Sequence, residues 1–119
     1  MQVRKLYPTL LVSNVPRAEA WYSSFFGRPP DNRPMASMVQ WEFSDGAGLS
    51  LCSDDELAAT GAVVFYIDDL DAERARLSGL AISLGDDIRG DYSTLAQVRD
   101  PDRNLLTIAT SPSRPFPGA

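Results

Sequence analysis

The chain has 119 residues, 44% of them hydrophobic and 23% charged, which suits one soluble globular domain and excludes a disordered tail. With 16 acidic against 11 basic residues and a formal charge of −5, it lacks the basic stripe of a nucleic-acid binder, and no nucleic-acid partner is expected. It has no histidine, so a His general base, a Ser-His-Asp triad and a His-ligated metal are excluded.

Met1 to Lys5 is charged and leads straight into a short apolar run without a signal-peptide core, and no apolar stretch approaches the ~20 residues that cross a bilayer. A cytoplasmic protein with no membrane partner is expected. Tyr7 to Val12 reads as a strand. Asn14 is the N-cap candidate of a following helix and Pro16 lies in its first turn, where a missing N–H costs nothing. Ala18, Trp21, Tyr22, Phe25 and Phe26 recur at spacings of three and four, an amphipathic helix with an aromatic face that Gly27 ends. Pro29 to Asn32 reads as a connector. Met38–Phe43 and Gly48–Cys52 form a hairpin around Asp45-Gly46, and the polar stretch Ser53–Thr60 breaks the pattern. Val63–Ile67 is a strand, Asp69–Leu80 a helix, and Leu95–Arg99 and Leu105–Ala109 a second hairpin around Asp100-Pro101-Asp102. Ser111 to Pro117 is too proline-rich for regular structure. Cys52 is alone, which removes any intrachain disulfide and leaves a small core-type residue.

The element order repeats. Val12-Ser13-Asn14-Val15 lies over Ile67-Asp68-Asp69-Leu70 at an offset of 55 residues (14 to 69), each with an apolar strand, an Asn or Asp cap and a helix. Half a domain of this size cannot bury a core alone, so the copies are expected to pack together.

Three stretches carry a resemblance. They are Tyr7-Pro-Thr-Leu-Leu-Val-Ser-Asn-Val-Pro-Arg-Ala-Glu-Ala-Trp-Tyr with Phe26-Gly27, then Val63-Val-Phe-Tyr-Ile-Asp-Asp-Leu-Asp-Ala, then Asp100-Pro-Asp-Arg-Asn-Leu-Leu-Thr-Ile. In order and spacing the chain resembles the vicinal oxygen chelate superfamily, the glyoxalase / bleomycin-resistance / extradiol-dioxygenase group. The resemblance implies an α+β fold of two paired βαβββ modules, about 5–53 and 61–110. These would form a concave mixed sheet with helices on its convex side, within one domain over 1–110 and a tail over 111–119. Arg103 stands where the family usually has Gly, so that turn is expected to be strained or differently shaped.

Metal-dependent members carry His or Glu at four places, which fall on Tyr7, Ser50, Ala62 and Thr107. None of these is a usual ligand, so no metal and no cofactor is expected. The resemblance then points to the metal-free, antibiotic-sequestering branch, commonly homodimeric, with a small-molecule ligand held in a cleft.

Alternation assigns the faces. Val39, Trp41, Phe43, Leu49 and Leu51 are expected to pack on the helices, with Leu10, Val12, Val63, Phe65, Ile67, Leu106 and Ile108. This pairing implies a three-residue Asp45-Gly46-Ala47 loop, whereas a two-residue Asp45-Gly46 loop would set Trp41 beside Ser50. The ligand-binding candidates on the other face are Tyr7, Thr9, Gln40, Glu42, Ser50, Ala62, Val64, Tyr66, Leu105 and Thr107, with Leu11 and Cys52 beside them. Tyr7 and Tyr66 either stack on a planar ligand or fill a dimer seam. Glu42 holds a cationic ligand group or is a solvated strand residue. The acidic runs at 54–56, 68–69 and 86–87 read as caps and solvated loops. Three functions follow: a metal-free binding protein; a metal-independent isomerase, cyclase or lyase with Glu42 or a Tyr as acid–base group, its carboxylate pKa raised by desolvation; or a decayed regulatory or interaction module.

Overall fold

The computed structural model describes residues 1–110, and the proline-rich stretch 111–119 lies outside the described residues. Two compact units divide them: Met1–Gly61 with Asp100–Asn104, and Ala62–Arg99 with the strand that begins at Leu105. The elements follow a βαβββ order twice, so the repeat of pattern is a repeat of structure.

The first unit contains β1 (Thr9–Val12), α1 (Val15–Phe26), β2 (Asn32–Met35), β3 (Met38–Ser44) and β4 (Ala47–Ser53). Its sheet runs in the order β1-β4-β3-β2, with β1 parallel to β4 and the other pairs antiparallel. Asn14 caps α1, its side-chain oxygen accepting the Arg17 N–H at 2.8 Å. Gly27 ends the helix at φ 78°, a conformation open to glycine, and its N–H donates to the Ser23 carbonyl. The buried face of α1, Val15, Ala18, Tyr22 and Phe25, packs on β3 and β4. There Leu10, Val12, Val39, Trp41, Leu49 and Leu51 complete the core.

The hairpin corrects one expectation while keeping the faces. Ser44 pairs with Ala47, so the turn is the two-residue Asp45-Gly46 and not a three-residue loop, with Gly46 at φ 86°. Trp41 nevertheless faces Leu49, and Gln40 faces Ser50, because the register slips between Glu42 and Ser44. Phe43 is the extra residue of that bulge. It is accordingly 44% exposed and not a core residue, although its ring meets Phe26 at 4.9 Å.

The turn Asp100–Asn104 belongs to this first unit and shows what its sequence is for. Asp100 is buried with both carboxylate oxygens filled. One accepts the N–H groups of Asp102 and Asn104 at 2.9 and 2.8 Å; the other accepts the Tyr22 hydroxyl at 2.7 Å and the Asn104 side-chain amide at 2.9 Å. Asn104 also donates to the Leu11 carbonyl and accepts the Gly61 N–H, both at 3.0 Å. A buried carboxylate is tolerated when its lone pairs are filled in this way.

The second unit contains β5 (Ala62–Ile67), α2 (Leu70–Ser78), β6 (Ile88–Arg89), β7 (Thr94–Arg99) and β8 (Leu105–Thr110), ordered β5-β8-β7-β6. Asp69 is its N-cap, accepting the Ala72 N–H at 3.0 Å, the counterpart of Asn14. Leu70, Leu77, Ile82, Ala96, Leu106, Ile108 and Ala109 are its buried apolar residues. Val63, Phe65 and Ile67 lie on the same face as Leu106 and Ile108 but are half-buried, as suits an edge strand.

Candidate functional site

In the first unit the sheet face opposite α1 gathers the candidates from three strands. Thr9, Ser50 and Gln40 lie in one row across β1, β4 and β3. The Gln40 amide nitrogen donates to the Ser50 hydroxyl oxygen at 3.0 Å, and Ser50 is only 1% exposed. Tyr7 lies just before β1, half-buried, its ring against Gly48, where a Cβ would collide with both that ring and the Trp41 carbonyl oxygen.

The Tyr7 hydroxyl donates to Glu42 at 2.7 Å. Lys5 Nζ stands 3.7 Å from the same carboxylate oxygen, and the Asn32 amide 3.4 Å from it. The Tyr7 hydrogen bond, helped by Lys5 and Asn32, outweighs desolvation and holds the Glu42 carboxyl below the usual carboxylate range. The same bond pushes the Tyr7 phenol up, so it stays a neutral donor. The desolvation-raised carboxylate expected of an acid–base Glu42 is therefore reversed: this group is an ionised acceptor and a weak base.

In the second unit, Val64 pairs with Thr107, Ala62 with Leu105 and Tyr66 with Ala109. Val64 and Tyr66 are 53% and 56% exposed, whereas Thr107 is 8% exposed. Thr107 in turn faces Gln97, whose amide nitrogen donates to its hydroxyl at 3.1 Å. The nine candidates within strands thus lie on the sheet face opposite the helix-packed set, and Tyr7, which precedes β1, reaches Glu42 on that face. Gln97 is the residue that sequence reasoning missed. An offset of 57 residues carries Gln40 and Ser50 onto Gln97 and Thr107 and would have found it.

The four positions do not form a donor set for a divalent metal. Tyr7 is a neutral donor to Glu42, Ser50 and Thr107 carry hydroxyls that accept from glutamines, and Ala62 has no donor atom. Zinc and its neighbours take imidazole, thiolate or carboxylate. Among the described residues no three His, Cys, Asp or Glu side chains are grouped to hold an ion. None of the described helices is long and apolar enough to cross a membrane.

Among solved structures, the chain is similar to a glyoxalase / bleomycin resistance protein from Catenulispora acidiphila DSM 44928, with 22% identity and a TM-score of 0.83 over 92% of this chain and 99% of that one. It is similar to TnmS3, an antibiotic binding protein from Streptomyces sp. CB03234, with 19% identity and a TM-score of 0.76 over 93% and 96% of the two chains. A lactoylglutathione lyase from Agrobacterium tumefaciens is 21% identical, with a TM-score of 0.73 over 88% of this chain and 91% of that one. At these identities the likeness is one of fold: this chain has the fold of the glyoxalase / bleomycin resistance proteins. No family model matches it, and no curated protein is similar to it in sequence.

Proposed function

We propose that the chain is a metal-free small-molecule binding protein of the vicinal oxygen chelate superfamily, which sequesters an antibiotic or another aromatic compound on the sheet faces described above. The observation that carries this reading is the make-up of Tyr7, Ser50, Ala62 and Thr107, which offers hydrogen bonds and apolar surface where metal-dependent proteins of this fold place ligands. The exposed Val64 and Tyr66 supply an aliphatic and aromatic surface for a planar ligand, the usual lining of such sites. That an antibiotic binding protein shares the fold is in keeping with it. Glu42, ionised and engaged by Tyr7, fits a polar anchor better than an acid–base catalyst. On this reading the protein works as a cytoplasmic homodimer, which a sedimentation mass of two chains checks.

The test is a thermal-shift screen of divalent metals beside aromatic and glycopeptide antibiotics. A ligand at about a hundred times its Kd adds ~2.7 kcal/mol of stability, an easily read shift. Stabilisation by a drug class and by no metal is expected. A shift with Mn²⁺, Ni²⁺ or Zn²⁺ overturns the metal-free reading, and saturation by no compound points to a decayed module.

A further inference from the structure

Resting on that reading, we infer that Gln40 and Gln97 are a duplicated specificity element, one in each module, that selects ligands bearing an amide, lactam or imide edge. The argument is positional and chemical. Across β1-β4-β3 the row is Thr9, Ser50, Gln40; across β5-β8-β7 it is Val64, Thr107, Gln97. In both rows the central hydroxyl is buried and the glutamine is half-buried, so the glutamine and not the hydroxyl is the polar group within reach of a ligand.

In both rows one amide N–H is spent on the hydroxyl, at 3.0 and 3.1 Å. In this orientation the amide nitrogen faces the hydroxyl oxygen. The bond leaves a second N–H and the carbonyl oxygen, and among the described residues neither carbonyl oxygen has a protein partner. One donor and one acceptor on a planar group match a ligand edge that offers one acceptor and one donor. Ser50 and Thr107 are the positioning residues.

Around Gln97 the face carries Val64, Tyr66, Leu105 and Thr107, with the exposed Arg99, paired with Leu105, two residues along β7. Around Gln40 stands the Glu42 carboxylate, already engaged by Tyr7, Lys5 and Asn32.

Calorimetric or NMR titration with isoquinolone, N-methylisoquinolone and naphthalene tests this. The lactam is expected to bind about tenfold more tightly than its N-methyl derivative or the hydrocarbon, the scale of one or two ligand hydrogen bonds. Gln40→Met and Gln97→Met each reduce that preference. Ser50→Ala reduces it with Gln40 intact, which a purely structural serine would not do. Should a variant fail to fold, the wild-type side-chain amide resonances of Gln40 and Gln97 are to move with isoquinolone and not with naphthalene. Equal binding of all three compounds, or unmoved amide resonances, overturns the inference and leaves the binding function standing. Binding of none overturns both.

Discussion

Arg103 occupies a left-handed backbone conformation, φ 73°, in a turn whose neighbours are fixed by the filled carboxylate of Asp100. Its N–H donates to the Asp100 carbonyl at 2.8 Å, so the turn keeps its shape and Arg103 bears the strain. Of the two outcomes open from the sequence, strain is the one realised. Arg103→Gly relieves it and is expected to raise stability by about 0.5–1 kcal/mol, the cost of the conformation less the entropy of a glycine. A lower denaturation midpoint in the variant contradicts this. At Glu42 the pKa is depressed in the folded state, so its contribution to stability is present above the unfolded carboxylate pKa and is lost as pH falls through the folded one. Titration of Glu42 by NMR is expected to report a midpoint below the ordinary range, and Tyr7→Phe to move it back up. An unmoved midpoint would mean that Lys5 and Asn32, not Tyr7, hold the carboxylate.

Elements whose cause is local were legible in the sequence. Asn14 and Asp69 announce helices because a short polar side chain accepts an N–H three residues on, and Gly27 announces a stop because its φ is positive. β2 and β6 were not legible. Asn32–Met35 has no alternation and contains Pro34, and Ile88–Arg89 is two residues long; both exist because a neighbouring strand pairs with them. The bulge at Phe43 was hidden for another reason: a two-residue turn with a bulge and a longer loop place the same side chains on the same faces up to Glu42 and differ only at Phe43. The Asp100–Asn104 turn reads as a turn, but its hold on α1 through Tyr22 is a contact 78 residues apart that no local pattern encodes. Tyr22→Phe removes one donor from a buried carboxylate and is expected to cost about 1.5–3 kcal/mol in denaturant unfolding. A loss below half of that would show that Asn104 and the Asp102 N–H satisfy Asp100 without Tyr22.

Across the whole molecule, the repeat was read at 55 residues from the strand–cap–helix openings, yet the hairpins repeat at 57, and that shift concealed Gln97. Alternation nonetheless separated the strand candidates from the helix-packed set, because it survives any even shift of register. What the sequence could not supply was the chemistry of those faces: the Tyr7 bond to Glu42 and the two glutamine–hydroxyl pairs depend on cross-strand neighbours. The central claim is that these faces hold a small molecule and no metal. Its most direct test is a backbone and side-chain NMR shift map of the protein with the most stabilising compound from the screen. Perturbations centred on Thr9, Gln40 and Ser50 in one module, and on Val64, Gln97 and Thr107 in the other, are the result expected. Perturbations confined to the helices, with both rows unmoved, would contradict it.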